Sequence, residues 1–208
     1  MKHSQDTVNG SGWADASVVV SDAALAMGAA LAAWLCLASL NGNAAAAIAF
    51  ALLAVCAILG SVYHAYRLRW QPKAIQVLWA FIVACTCLFA MVLTLAVWQR
   101  AGGHVPLLLV VCGIILALGF GCWGGVSDSF LPASIISVAC VMLTLYVLIK
   151  PWAAGYNWAV NMAVGLAASV LASGIQASNW RKGKEWNHND AYHAVQLLAL
   201  YPMVLAFQ

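Results

Sequence analysis

Seven long apolar runs, each separated from the next by residues that interrupt helices, dominate this sequence of 208 residues. A helix needs about 20 consecutive apolar residues to cross the hydrocarbon of a bilayer. Because backbone groups in lipid must be satisfied within the segment itself, runs of this length predict transmembrane helices. The predicted helices cover residues 18–40, 44–66, 74–98, 105–127, 130–150, 156–178 and 190–207.

The composition supports this interpretation, since 65% of the residues are hydrophobic, only 7% are charged and the mean hydropathy is +0.91. A soluble domain carries about 25% charged residues, so this chain has too little charge to cover a water-facing surface. We therefore expect an all-α, polytopic membrane protein: a polar N-terminal tail over residues 1–16, then a seven-transmembrane-helix bundle over residues 17–208. The nine basic residues form no basic arm, which argues against a nucleic-acid partner.

The basic residues are divided unevenly between the two ends of the predicted helices. Seven of the nine fall on the side of the N-terminus, and two fall on the opposite side. Because short loops rich in Lys and Arg stay in the cytoplasm, we expect a cytoplasmic N-terminus and, with seven helices, an outside C-terminus. The seven are Lys2, Arg67, Arg69, Lys73, Arg181, Lys182 and Lys184, and the two are Arg100 and Lys150.

All seven cysteines lie inside apolar runs, and none lies in a polar loop. This distribution excludes the disulfide framework of a small secreted domain. We expect each cysteine to behave as a small apolar side chain in the helix packing.

Three ionisable residues lie within predicted helices at depths where a charge is costly. Asp22 is near the start of helix 1, His64 near the end of helix 2 and His193 in the first turns of helix 7, all at the predicted cytoplasmic side. Ionisable residues at such depths usually face the bundle interior and mark functional sites. We therefore expect these three side chains and Asp190 to converge on one cavity between helices 1, 2 and 7.

Two of the acidic residues also have a structural explanation. Asp22 follows Ser21, and either side chain could cap the start of helix 1; capping and chemistry both stay open for Asp22. Asp128 lies between two serines just before predicted helix 5, and Pro132 follows it. This pattern is typical of a helix start, so we expect Asp128 to cap helix 5.

The segment 186–196 contains the densest group of candidate metal ligands. His188, Asp190 and His193 lie within six residues, and Asp190 and His193 share a face if helix 7 begins near Asp190. Two imidazoles and a carboxylate are ligands that zinc accepts. The alternative is an interfacial loop whose Asn and Asp side chains cap helix 7 while the histidines meet lipid headgroups.

A family resemblance supports the metal interpretation. Ser61 and His64, which share a face of helix 2, and the segment from His188 to His193 resemble motifs of the superfamily of alkaline ceramidases, hemolysin III proteins and adiponectin receptors, nearest to its uncharacterised bacterial members. Members of that superfamily have seven helices and a cytoplasmic N-terminus, and they hold zinc between helices 2 and 7. The spacings differ here: Ser61 and His64 are three apart and His188 and His193 five apart, where the family has four, and the family's helix-3 aspartate has no counterpart.

The resemblance implies a zinc-dependent integral membrane hydrolase acting on a lipid amide or ester, with membrane lipids and a lipid-like substrate as partners. His64 and His193 would bind zinc with Asp190 or His188, and the metal would activate water and polarise the carbonyl. Asp22 would orient the water or act as general base, and Ser61 would hydrogen-bond a ligand or the oxyanion.

Two other classes of function fit the same residues. One is a non-enzymatic seven-helix sensor or proton-linked transporter, in which the buried Asp and His groups carry protons or bind a polar solute. The other is a structural membrane subunit whose polar groups only cap helices.

Overall fold

The computed structural model describes residues 16–39, 42–178, 181–182 and 186–208. The predicted polar tail lies outside these residues apart from Ala16, which begins the first helix. The described part contains seven α-helices, as predicted: α1 (Ala16–Ala38), α2 (Ala44–Tyr66), α3 (Pro72–Arg100), α4 (Leu107–Ser127), α5 (Leu131–Ala153), α6 (Asn157–Ala177) and α7 (His188–Leu205). Before α7, strands β1 (Arg181–Lys182) and β2 (Trp186–Asn187) form a short antiparallel pair.

Six of these helices, α1 to α6, are long and apolar enough to cross a membrane. Helix α7 has 18 residues and is less apolar, because five of its first nine residues are His, Asn, Asp or Gln. The prediction of an all-helical bundle is therefore confirmed, and the apolar character expected of a span is found in six of its seven helices.

The outer surface of the bundle is apolar, and α4 shows this most clearly. Its buried residues are all small, while its leucines and isoleucines are exposed. A water-soluble protein rarely exposes so large a continuous apolar surface. This arrangement is compatible with a multi-pass membrane protein whose large side chains face lipid. The buried residues of α4 are Ala117, Gly121, Gly124 and Gly125.

Each helix packs against at least two other helices. Helix α1 packs between α2 and α7, and α7 also packs on α6, while α3 contacts α2, α4 and α5. The larger apolar core lies mainly among α1, α2, α6 and α7, where Phe50 and Phe207 make an edge-to-face contact with 6.4 Å between ring centroids. Through this packing, the start of α1, the end of α2 and the start of α7 meet at one end of the bundle.

Neither Asp22 nor Asp128 caps the start of a helix. Helix α1 begins six residues before Asp22, so Asp22 lies in the second turn and caps nothing. Asp128 ends α4 in the left-handed conformation, with φ of 47°, which aspartate adopts more readily than most residues. The hydroxyl of Ser129 instead accepts a hydrogen bond from the Leu131 amide at the start of α5, at 3.1 Å. The prediction that Asp128 caps helix 5 is therefore wrong.

The cysteines are all free thiols, in agreement with the expectation that they form no disulfide framework. Cys56 does more than fill space, because its Sγ lies 3.2 Å from the Thr86 hydroxyl and links α2 to α3. A second polar contact, 3.0 Å between the hydroxyls of Thr94 and Thr144, links α3 to α5. Polar contacts of this kind hold helices together where the surroundings are apolar.

Candidate functional site

A buried contact between α1 and α7 forms the centre of the candidate site. Nε2 of His193 lies 3.1 Å from Oδ1 of Asp22. The two residues are only 8% and 4% exposed. An isolated charge buried at this depth is costly, so each of these groups reduces the cost of burying the other.

Ser21 connects this pair to a second carboxylate. Its Oγ lies 2.9 Å from Nδ1 of His193 and 3.2 Å from Oδ1 of Asp190, and it is also 3.1 Å from the Val18 carbonyl. A hydroxyl has one hydrogen to donate and accepts from other donors. When His193 carries its hydrogen on Nδ1, Ser21 accepts that hydrogen bond and donates its own hydrogen to Asp190.

Asp190 has two structural roles at once. It completes a capping box with Asn187, in which the Asp190 Oδ2 accepts a hydrogen bond from the Asn187 amide at 3.0 Å. The same oxygen accepts a hydrogen bond from the Ser17 hydroxyl on α1, at 3.1 Å. The capping role that the sequence left open is therefore present, and Asp190 also ties the start of α7 to α1.

Helix α2 completes the site from the other side. Gly60 faces the Asp22 carboxyl, since a Cβ at Gly60 would lie 3.0 Å from Asp22 Oδ2. Ser61 donates its hydroxyl hydrogen to the Val19 carbonyl at 3.0 Å, so it links α1 to α2. His64 lies one turn further along α2, half-buried.

The structure thus brings Asp22, Asp190 and His193 into one connected cluster and places His64 at the same end of the bundle. His188 is the first residue of α7 and is half-buried. Sequence reasoning considered Ser21 only as a cap and did not single out Ser17 or Gly60. The spacing of Ser17 and Ser21, four apart on the face of α1 that points to α7, was the available signal.

The predicted zinc ligands do not form a metal site among the described residues, where no three His, Cys, Asp or Glu side chains group closely enough to hold a metal ion. His193 shows why, because both of its ring nitrogens already face protein groups. A zinc ligand must instead direct a nitrogen lone pair at the ion from about 2.0–2.1 Å. The oxygens of Asp190 are likewise occupied by protein donors. Zinc binding stays a prediction from the sequence alone.

A groove of about 480 Å³ lies beside the cluster, between α1 and α7. Ser21 and Asp190 are among the residues that line this groove, whereas Asp22 is not. The polar lining consists of Ser17, Ser21, Asp190 and His193, and the apolar lining of Ala16, Val20, Ala24, Ala194 and Leu197.

A family of unknown function, DUF6962, matches residues 17–208 of this sequence. The chain belongs to this family. Every residue of the cluster lies within the matched range, so the candidate site is part of the DUF6962 region. No curated protein and no solved structure shows significant similarity to the chain. The resemblance to the ceramidase and hemolysin III superfamily therefore stays a prediction.

Proposed function

We propose that this DUF6962 protein is a multi-pass membrane protein that binds and relays a proton, as a sensor or a proton-linked transporter. The observation that carries the proposal is an unbroken series of contacts of 2.9–3.2 Å from Asp22 through His193 and Ser21 to Asp190. Six helices apolar enough to cross a membrane support the membrane part of the proposal.

The order of groups in this series suits proton transfer. An imidazole exchanges a proton at either ring nitrogen, and a hydroxyl donates and accepts at the same oxygen. A proton that arrives at one carboxyl can therefore leave from the other after the hydrogen bonds between them rearrange. Histidine is also the side chain that ordinarily titrates closest to neutral pH.

Both ends of the series are buried, and they differ in that only Asp190 lines the groove. Asp22 is buried against α2, while Asp190 lines the groove between α1 and α7. A proton taken up at the groove would reach the bundle interior through Ser21 and His193. Chains of Asp, Glu and His with this kind of placement carry protons in membrane pumps and transporters.

Proton binding is tested by infrared difference spectroscopy of the purified protein between acidic and alkaline pH. We expect a carboxyl band that disappears in Asp22→Asn and imidazole bands that disappear in His193→Gln. The matched controls are Asp128→Asn and His104→Gln, which change one exposed residue of the same type outside the cluster. If Asp22→Asn and His193→Gln give the wild-type spectrum, the cluster binds no proton and the proposal is wrong.

Proton movement is tested separately in liposomes that contain a pH-sensitive dye. A transporter dissipates an imposed pH gradient faster than empty liposomes do, and Asp22→Asn abolishes this difference. A sensor binds the proton without flux, so the same preparation assigns the protein to one of the two classes.

The order of Ser21, His193 and Asp22 supports a second candidate, a metal-free hydrolase of lipid esters or amides. A hydroxyl next to an imidazole that a carboxylate orients is the arrangement of nucleophilic acyl transfer. The apolar lining of the groove suits an acyl chain. We rank this candidate second because the Asp190 carboxylate, 3.2 Å from the same hydroxyl, opposes the negative charge that develops during attack.

A fluorophosphonate probe tests the second candidate, since it forms a covalent bond with an activated serine. A hydrolase of this type is labelled at Ser21, loses the label in Ser21→Ala and keeps it in Ser17→Ala. If the folded protein is not labelled, the hydrolase proposal is wrong.

We also propose that the N-terminus faces the cytoplasm and the C-terminus the outside, in a bacterial inner membrane. The uneven division of basic residues supports the cytoplasmic N-terminus, and α7 as a seventh crossing then places the C-terminus outside. A reporter fused after Gln208 should report a location outside the cytoplasm. A cysteine introduced between Arg181 and Glu185 should be labelled only from the cytoplasm. A cytoplasmic C-terminus would reverse or break the proposed topology.

A further inference from the structure

Gly60 on α2 lies against the whole carboxyl group of Asp22. A Cβ at this position would lie 3.0 Å from Oδ2, 3.1 Å from Oδ1 and 3.2 Å from Cγ of Asp22. Contacts this short require one of the two groups to move. Glycine therefore leaves the space that the carboxyl occupies.

In the part of the chain that the structure describes, the carboxyl has a hydrogen-bond partner on one side only. Its Oδ1 contacts His193, whereas its Oδ2 is buried and has no hydrogen-bond partner among the described residues. No donor therefore fixes the Oδ2 side of the group. Its position there depends on direct packing against the surface of α2 at Gly60.

The distance between α1 and α2 is also fixed at this level of the bundle. Ser61, next to Gly60, donates a hydrogen bond to the Val19 carbonyl at 3.0 Å, and Val19 precedes Asp22 by three residues on α1. A methyl group added at position 60 could be accommodated by separating the helices only if this bond lengthened. Moving the carboxyl is the easier response, and it changes the 3.1 Å contact with His193.

We propose that Gly60 is a positioning residue of the proton relay: its missing side chain lets the Asp22 carboxyl lie against α2 while it contacts His193. This inference rests on the proposed function for its effect on proton transfer. Its effect on the Asp22–His193 contact can be measured independently of any function.

The direct test compares Gly60→Ala with Gly119→Ala. The control adds the same methyl group to a helical glycine of α4 that has nothing within 4 Å. With nitrogen-15-labelled histidine, we expect Gly60→Ala to shift the NMR signal of His193 Nε2 and to change the infrared carboxyl band of Asp22. The rate of proton transfer should fall by up to about a hundredfold, the effect of misplacing reacting groups by about 1 Å. Gly119→Ala should leave all three unchanged.

A double-mutant cycle keeps the test informative if Gly60→Ala lowers stability. If the added methyl group displaces the Asp22 carboxyl, Gly60→Ala should lower thermal stability less in an Asp22→Ser background than in the wild-type protein. The reason is that the effects of substitutions at contacting residues are not additive. Equal costs in both backgrounds would show that position 60 acts through general helix packing and would overturn the inference.

The failures of the two proposals give different results. If Asp22→Asn has no effect on proton binding but Gly60→Ala shifts the His193 signal, the positioning role stands and the proton function is wrong. If Asp22→Asn abolishes proton binding but Gly60→Ala changes neither spectrum, the proton function stands and Gly60 has no positioning role.

Discussion

The contact between α3 and α4 and the contact between α1 and α7 join neighbouring helices by different chemistry. In the first, Gly121, Gly124 and Gly125 of α4 lie directly against α3, where an added Cβ would come within 2.7–2.8 Å of an α3 side chain. In the second, hydroxyl, carboxyl and imidazole groups meet at distances of 2.9–3.2 Å. Lipid offers no hydrophobic drive for helices to associate, so close packing and interhelical hydrogen bonds are the two available means.

Both kinds of contact, close packing and hydrogen bonding, also occur within the α1–α7 contact itself. Further along the same helices, Gly28 of α1 faces Leu197 of α7 at very short range, in the manner of α4 against α3. Among the described residues, the side-chain hydrogen bonds between α1 and α7 lie at the end where α7 begins. Close packing therefore holds α1 to α7 along part of their length, which is consistent with the proposed proton relay at the polar end.

The largest effect is expected from a bulky side chain in the glycine contact. Gly121→Leu would drive Cβ into Ala84 and the Ala80 carbonyl, both under 3.0 Å away. We expect a loss of about 3 kcal/mol or more in the free energy of unfolding, the upper range for overpacking, measured by thermal unfolding in detergent. Gly119→Leu, on the same helix but in open space, is the control. Equal stability of the two variants would show that α3 and α4 are not packed as described.

An intermediate effect is expected from removing the buried carboxyl at the polar contact. Asp22→Ala leaves the His193 Nε2 without its partner, so we expect a loss of about 1–2 kcal/mol in the free energy of unfolding. Asp128→Asn, at the exposed end of α4, should change stability little, because asparagine also adopts the left-handed conformation found there. A loss as large as that of Gly121→Leu would contradict the idea that the polar end serves chemistry more than cohesion.

The smallest effects are expected from the two serines of α1. Both donate to Asp190, but only Ser21 also contacts His193. Interhelical hydrogen bonds in membranes average about 0.6 kcal/mol, so we expect about that loss for Ser17→Ala and about 1 kcal/mol for Ser21→Ala. Proton binding should change in Ser21→Ala alone. If proton binding changed in Ser17→Ala and not in Ser21→Ala, the relay would run through Ser17 and the proposed series of contacts would be wrong.

The number of helices and their approximate ends could be predicted from the sequence. A run of apolar residues reports the free energy of placing that segment in lipid, which is a local property of the chain. The observed α2 has the predicted bounds, and α3 extends two residues beyond them at each end. The prediction that Asp128 caps helix 5 is wrong because its left-handed conformation belongs to the end of α4. A cluster of polar loop residues does not show which of the two adjoining helices it caps.

The partners within the site were decided by the tertiary structure. The sequence marked Asp22, His64 and His193 as costly at their depth. His193 follows Ser21 by 172 positions, however, and no spacing rule reaches that far. Ligand counting likewise could not show that both nitrogens of His193 face protein groups, or that Gly60 makes room for a carboxyl. Hydropathy measures the free energy of transferring each segment into lipid. The contacts depend instead on how each helix is rotated against its neighbours, and close packing across the whole bundle sets that rotation.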